Sequence, residues 1–224
     1  MQQKYFQIGF NKCGTSSIAR FFSHNGIRCV DWDRGRLARR MKENLNSGRN
    51  ILDGYSHYDA FTDMESVTNR EVVEGYKYFP QILDQIPHSM FILNTRDVDR
   101  WIRSRLNHGP YAANYMTALN IENLSELVAY WREEWDAHHK AVIKHIPPER
   151  LLVFNIEADD PSQLCKFVGL ESRAAKHFRV HNITLSRFGR VIEKLTPDWL
   201  KAVMPASVKV VVRKVLRKRS VGQE

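Results

Sequence analysis

A lysine, a glycine and three hydroxyl residues follow the first apolar segment of the chain. Residues 11–17 read Asn-Lys-Cys-Gly-Thr-Ser-Ser, between a strand-like segment at 5–10 and a helical pattern made by Ile18, Phe21 and Phe22. Small residues at such a turn let backbone N–H groups converge on a phosphate, and the positive end of the following helix adds to the attraction. The segment therefore predicts a phosphate-binding loop, to which the lysine adds a full charge.

This loop differs from the Walker nucleotide-binding pattern, G-x-x-x-x-G-K-[ST]. Gly9 and Gly14 have the glycine spacing of that pattern, but Thr15 stands where its lysine should be. Lys12 instead precedes the second glycine by two residues. A P-loop nucleotide kinase or NTPase remains an alternative, but it also requires an acidic residue for magnesium, a role that Asp97 could at most imitate.

The displaced lysine makes the segment resemble the 5′-phosphosulfate loop of sulfotransferases that depend on 3′-phosphoadenosine-5′-phosphosulfate (PAPS). That loop is commonly P-K-[SA]-G-T-[TS]-[TW]; here Asn11 replaces the proline and a cysteine replaces the small residue. The resemblance implies that the lysine stabilises charge on the bridging oxygen as phosphoadenosine leaves. The implied cofactor-binding residues of the loop are Lys12, Cys13, Gly14, Thr15, Ser16 and Ser17.

A second family motif, an arginine at a strand end with a serine eight residues later, also has a counterpart. The buried strand predicted at 89–94 (SMFILN) is followed by Arg96, and Ser104 lies at the family spacing. Arginine suits phosphate because its planar fork can donate two parallel hydrogen bonds. The resemblance implies that both residues hold the 3′-phosphate of PAPS, and of its product 3′,5′-bisphosphoadenosine.

The general base is less sharply defined. Residues 61–64 (Phe-Thr-Asp-Met) resemble the K-T-H-L-P segment of cytosolic family members, with Asp63 in the histidine position and phenylalanine in place of the lysine. Carbohydrate-modifying branches of the family use a carboxylate in this role. Asp63 is therefore the expected base, with Asp59, Glu65 and His57 as alternatives.

The resemblance extends less clearly over residues 5–170. Residues 151–157 and 164–170 resemble a structural strand and helix of the family. A late R-K-G segment that touches the 3′-phosphate has no clean copy, and Arg187 is the nearest candidate for its role. No metal is implied, since the family reaction requires none.

Short apolar strands alternate with helical patterns along the chain. This alternation predicts an α/β fold, a mainly parallel sheet flanked by helices on both faces, with the P-loop-like turn after the first strand. Helical sequence is expected after residue 64, and irregular structure at 109–122. We expect one sulfotransferase-like domain over 1–205, followed by a basic segment at 206–224, because no Pro/Gly/Ser-rich linker interrupts the first 205 residues.

Composition narrows the possible partners. The net charge of +9 favours an anionic ligand or surface, and the three cysteines show neither disulfide nor zinc spacing. A non-catalytic nucleic-acid-binding protein is a second alternative, but most aromatic residues have core spacing rather than alternating with basic residues on one surface. We therefore expect no nucleic-acid partner. The expected acceptor is a small molecule, a glycan or a lipid headgroup.

The location is inferred from two further patterns. No apolar leader and no membrane-length apolar run is found, which favours the cytoplasm. The C-terminal segment nevertheless forms an amphipathic helical stripe, with basic residues on the intervening face. The stripe consists of Val208, Val211, Val212, Val215 and Leu216. Such a helix could bind an anionic membrane peripherally, or could pack on the sheet instead.

Overall fold

The computed structural model describes residues 3–178, so Arg187 and the segment 206–224 lie outside the described residues and remain predictions. Five strands form one sheet: β1 (Lys4–Gln7), β2 (Cys29–Asp31), β3 (Ala60–Thr62), β6 (Ser89–Thr95) and β7 (Leu151–Asn155). A separate hairpin consists of β4 (Glu65–Val67) and β5 (Val72–Glu74). The α-helices are α1 (Thr15–His24), α2 (Arg36–Asn46), α3 (Phe79–Gln85), α4 (Val98–Leu106), α5 (Tyr111–Leu119), α6 (Leu124–His145) and α7 (Ser162–Phe167).

The five-stranded sheet is parallel throughout, with the order β2-β3-β1-β6-β7. Phe6 of β1 lies opposite Phe61 of β3 on one side and Phe91 of β6 on the other. The loops that leave these three strands therefore start side by side at the carboxyl edge of the sheet. The chain places β2 and β3 on one side of β1, and β6 and β7 on the other. Ligands of parallel sheets usually bind at the carboxyl edge where the strand order reverses in this way.

Both faces of the sheet are covered, as the sequence predicts. Phe6, Phe91 and Leu93 point into the core beneath α2 to α6, whereas Tyr5 and Ile92 point into the core beneath α1 and α7. This alternation follows from the two-residue side-chain period of a strand. The α/β prediction is confirmed. Among residues 3–178, no helix is both long and apolar enough to cross a membrane.

Two local predictions are wrong. The sequence after residue 64 forms the β4–β5 hairpin before α3 begins, because Thr68 and Glu71 close a tight turn by a backbone hydrogen bond of 2.9 Å. The interval expected to be irregular contains α5, which buries Tyr111 and Tyr115 at the i, i+4 spacing of one helix face. These two elements pack near the carboxyl edge and carry polar groups of the site.

A side-chain cap marks the start of α6. Asn123 caps this helix, since its side-chain oxygen accepts a 3.0 Å hydrogen bond from the N–H of Glu126. Trp131 and Trp135, four residues apart on one face of this helix, are buried in the core.

Candidate active site

The segment after β1 forms a tight loop over the start of α1. Lys12 and Gly14 have positive φ angles of 64° and 80°, and the Gly14 carbonyl accepts hydrogen bonds from the N–H groups of Ser17 (3.0 Å) and Ile18 (3.1 Å). A left-handed residue is costly except at glycine, so Lys12 is held there by its surroundings. The loop and the N-terminus of α1 form the kind of cradle in which backbone N–H groups bind phosphate.

Two buried amide side chains hold this loop in place. Asn94 at the end of β6 donates to the Cys13 carbonyl at 2.7 Å, and its side-chain oxygen accepts from the Gly9 N–H at 3.0 Å and from Gln7. A Cβ atom on Gly9 would lie 2.1 Å from the Asn94 carbonyl oxygen, so only glycine fits. Sequence reasoning missed both amides; their signal was a polar residue within an otherwise apolar strand.

The other side of the loop is attached to α4 through Asn11. Its carbonyl accepts a 3.0 Å hydrogen bond from the Trp101 indole, and its side-chain oxygen accepts one of 2.8 Å from Arg105. The Arg105 guanidinium is buried among aromatic rings and pairs with Glu65 at 3.1 Å. Asn11 therefore links the loop to a buried ion pair, a contact that the usual proline could not make through its side chain.

The loop side chains differ in exposure. Thr15 and Ser17 are buried, whereas Lys12 and Ser16 are half-buried. Cys13 lies in the core, and burial raises the pKa of its thiol well above the usual range. Cys13 can therefore contribute its backbone to the loop, but its thiol is not an activated nucleophile.

Lys12 lies within a group of charged and polar side chains. Its Nζ is 3.5 Å from Nδ1 of His108, a neighbour that no sequence pattern indicated. Burial lowers the pKa of Lys12 and nearby Arg96 lowers it further, while the Asp63 carboxylate opposes both. These two charges belong to the segments that follow β3 and β6.

Asp63 follows β3 directly, in a strained backbone conformation with φ 51°. Its N–H donates a 2.9 Å hydrogen bond to the side-chain oxygen of Gln7, so the amide network that holds the loop also holds Asp63. The residue keeps partial exposure, but the protein packed around it excludes most water. This desolvation, with the negative charges of Glu65 and Asp31, raises the pKa of Asp63 to about 8.

The three alternative bases lie in less suitable places. Glu65 is buried, pairs with Arg105 and accepts hydrogen bonds of 2.8 and 2.9 Å from the Tyr111 hydroxyl. Asp59 and His57 both precede β3, so they lie toward the amino edge of the sheet. Asp59 is also bound to Arg28 at 2.8 Å. Asp63 alone of the four directly follows a strand at the carboxyl edge.

Arg96 lies where β6 ends, beside the loop. Its Nη1 donates to the Lys12 carbonyl at 3.0 Å, and its Nη2 pairs with Glu157, which follows β7. Its Nε is buried with no hydrogen-bond partner among the described residues. Ser104 lies half-buried on α4, two turns beyond the strand end. Within residues 3–178, no cluster of His, Cys, Asp and Glu side chains could hold a metal ion.

A comparison with protein-family models identifies the chain. A model described as a sulfotransferase domain matches residues 4–133, more than half of the 224 residues. The chain belongs to the sulfotransferase family. The matched part of this sulfotransferase contains Lys12, Asp63, Arg96 and Ser104, but not Glu157.

The sulfotransferase is also similar to a solved structure, the crystal structure of a sulfotransferase from Alicyclobacillus acidocaldarius. The two chains are 18% identical, with a TM-score of 0.46 over 90% of this chain and 92% of the other. No curated protein matches the sequence.

Proposed function

We propose that this sulfotransferase moves a sulfuryl group from PAPS to a hydroxyl or amine of an acceptor. The observation that carries the proposal is the position of the Lys12 loop, Asp63 and Arg96 at one edge of the sheet. Arg96 donates a hydrogen bond to the Lys12 carbonyl, and Asp63 donates one to Gln7 of the amide network that holds the loop. A positively charged phosphate cradle beside a carboxylate base matches what sulfuryl transfer needs.

The chain offers suitable groups for both phosphates of the cofactor. The backbone of the loop and the N-terminus of α1 suit the 5′-phosphosulfate, together with Lys12 and the half-buried Ser16. Arg96 has a buried Nε without an acceptor, so its fork has capacity for a further anionic oxygen. With Ser104 it would bind the 3′-phosphate. Bound PAPS supplies the activated sulfuryl group.

Positioning and charge stabilisation provide most of the catalysis in transfers of this kind. Asp63, in its ionised form, would accept the proton of the acceptor hydroxyl or amine. A pKa of about 8 suits a general base near neutral pH, because the group is then both available and basic enough to take a proton. Lys12 would place its ammonium at the bridging oxygen, where negative charge develops.

The test is a screen of acceptors with PAPS labelled in the sulfuryl group. We expect label transfer with wild-type protein and its loss in Lys12→Ala, while Lys140→Ala, at an exposed position on α6, stays active. ATP labelled in the γ-phosphate serves as a parallel donor. Transfer from ATP instead of PAPS would favour the nucleotide kinase alternative, and a fully active Lys12→Ala would remove the lysine from the mechanism.

A further inference from the structure

A cavity that no phosphate-loop residue lines is found near β2, the edge strand of the sheet. It has a volume of about 490 Å³ and opens between the first turns of α2 and the residues that precede β3. We refer to it as the arginine groove. Its principal lining residues are Arg36, Arg39, Arg40, Tyr55, His57 and Tyr58. A cavity of this size can hold a ligand of a few sugar or aromatic rings.

The arginine groove contains charges of both signs. Arg36 pairs with Asp33 at 2.6 Å, and Arg40 pairs with Glu43 at 3.4 Å. Arg39 donates instead to uncharged oxygens, the Ser66 hydroxyl and a backbone carbonyl. Three guanidinium groups and two carboxylates leave one net positive charge, so the groove attracts an anion without presenting an unbroken basic surface.

Polar groups and rings in the groove have fixed positions. The Tyr55 hydroxyl donates to Asp33 at 2.6 Å, and hydrogen bonds from Arg36 and Tyr55 lower the pKa of Asp33, which stays ionised near neutral pH. The rings of His57 and Tyr58 lie 4.2 Å apart. A ligand would therefore meet charged donors, carboxylate acceptors and ring faces together.

One strained backbone segment connects the groove to the strand that precedes the candidate base. The Trp32 N–H donates to the Thr62 carbonyl at 3.0 Å, so Trp32 pairs with the residue directly before Asp63. The next residue, Asp33, lines the groove. Residues 32–35 all have positive φ angles, between 47° and 74°, although three of them are not glycine. Backbone strain of this kind is concentrated at ligand clamps and active sites.

The strained segment 32–35 begins with an exposed aromatic side chain, that of Trp32. Trp32 is 49% exposed, whereas the other tryptophans of residues 3–178 are buried. Its backbone is one strand spacing, about 4.8 Å, from that of β3. Trp32 therefore lies between Asp33, which lines the groove, and the end of the strand that Asp63 follows.

We propose that the arginine groove binds the acidic part of the acceptor, and that the acceptor is an oligosaccharide with isolated carboxylate or sulfate groups. This inference rests on the proposed function, because it assigns the substrate class of the same site. The guanidinium groups suit single anionic groups, the two carboxylates accept hydrogen bonds from sugar hydroxyls, and the exposed rings offer apolar surface to sugar faces.

The same charges disfavour the other polyanions. Nucleic acid carries one phosphate per nucleotide and binds through a dense array of basic groups. An anionic membrane likewise favours clustered lysine and arginine. Asp33 and Glu43, which lie between the arginines, would repel both.

The test is calorimetric binding to the full-length chain without sulfuryl transfer. The probe is a hexasaccharide of alternating glucuronic acid and N-acetylglucosamine, with a neutral N-acetylglucosamine hexasaccharide as the comparison. Arg36→Gln combined with Arg40→Gln removes two exposed charges, and Arg173→Gln is the matched control, because Arg173 also forms an exposed ion pair. Circular dichroism checks that each variant is folded.

We expect the acidic probe to bind wild type and the Arg173 variant equally, and the double variant about tenfold more weakly. Trp32→Phe should abolish the change in tryptophan fluorescence that accompanies binding. Equal affinity for acidic and neutral probes, or no selective loss in the double variant, would overturn the inference. Tighter, groove-dependent binding of a DNA oligonucleotide or of phosphatidylserine vesicles would show that the ligand class is wrong.

The same protein separates this inference from the proposed function. Binding of 3′,5′-bisphosphoadenosine should be unchanged in the double variant, since neither arginine belongs to the cofactor site. If the acidic probe binds the groove but no acceptor receives a sulfuryl group from PAPS, the proposed reaction is wrong and the groove site stands. If the double variant transfers the sulfuryl group to acceptors as well as wild type does, the groove site is wrong and the proposed reaction stands.

Discussion

Arg96 and Glu157 form an ion pair at the position where we expect the 3′-phosphate to bind. The same carboxylate is 3.4 Å from Arg100, so it lies between two guanidinium groups. Glu157 thus places a negative charge against the guanidinium group that we propose for the 3′-phosphate. A nucleotide with a 3′-phosphate must displace this carboxylate or tolerate its repulsion.

The first prediction follows from this competition. Glu157→Gln should bind 3′,5′-bisphosphoadenosine about five- to tenfold more tightly than wild type, because the neutral amide pairs less strongly with Arg96. Affinity for 5′-AMP should not change. Titration calorimetry measures both, with Glu171→Gln as a control at another exposed ion pair. Weaker binding in Glu157→Gln would mean that the carboxylate orients Arg96 for the nucleotide.

The second prediction concerns the pH dependence of activity. A base must be ionised to accept a proton, and Asp63 has a pKa of about 8. The kcat/KM for sulfuryl transfer should therefore fall as the pH drops below about 8, with a slope of one proton. Asp63→Asn should lose most of the activity and the inflection with it. An inflection near pH 4 would indicate a base without this shift.

The third prediction concerns stability. Because burial raises the pKa of Asp63 from its ordinary value to about 8, the folded protein holds a proton that the unfolded chain releases between about pH 4 and pH 8. Ionisation of Asp63 therefore lowers the free energy of unfolding as the pH rises through this window. Asp63→Asn cannot ionise, so its melting temperature should exceed that of wild type at pH 8.5. A lower melting temperature there would contradict the assigned cause.

The fourth prediction tests the amide network behind the loop. Gly9→Ala should destabilise the protein by about 3 kcal/mol or more, because the added Cβ would collide with both the carbonyl and the side chain of Asn94. Gly26→Ala is the comparison: its φ of 76° is unfavourable for alanine, but no atom lies within 4 Å, so about 1 kcal/mol is expected. Urea unfolding measures both. Similar losses would mean that the loop adapts to the methyl group.

Local patterns in the sequence predict the fold class and much of the site. The Lys12 loop and Arg96 each follow an apolar strand directly, and such residues meet at the carboxyl edge of any parallel sheet. Asp63 also follows an apolar strand directly, so its position at the same edge can be predicted in the same way. The family match covers all three positions.

The remaining parts depend on contacts between distant segments. His108 reaches Lys12 across 96 positions, and Glu157 reaches Arg96 across 61. Neither pairing leaves a local pattern. The β4–β5 hairpin was missed for a similar reason: its strands have only three residues each, and Glu65 is stabilised there by Arg105, far along the chain. Helical periodicity cannot be tested over so short an interval.

The most direct test of PAPS as the sulfuryl donor is the preference for a 3′-phosphate, measured by titration calorimetry of the full-length protein with 3′,5′-bisphosphoadenosine, 5′-AMP and ATP. We predict tight binding of the bisphosphate and much weaker binding of 5′-AMP and ATP. Arg96→Ala should lose most of this preference, which corresponds to a loss of about 2 kcal/mol or more in the binding free energy of the bisphosphate. Equal affinity for bisphosphoadenosine and 5′-AMP, or a preference for ATP, would contradict the assignment of PAPS as the sulfuryl donor.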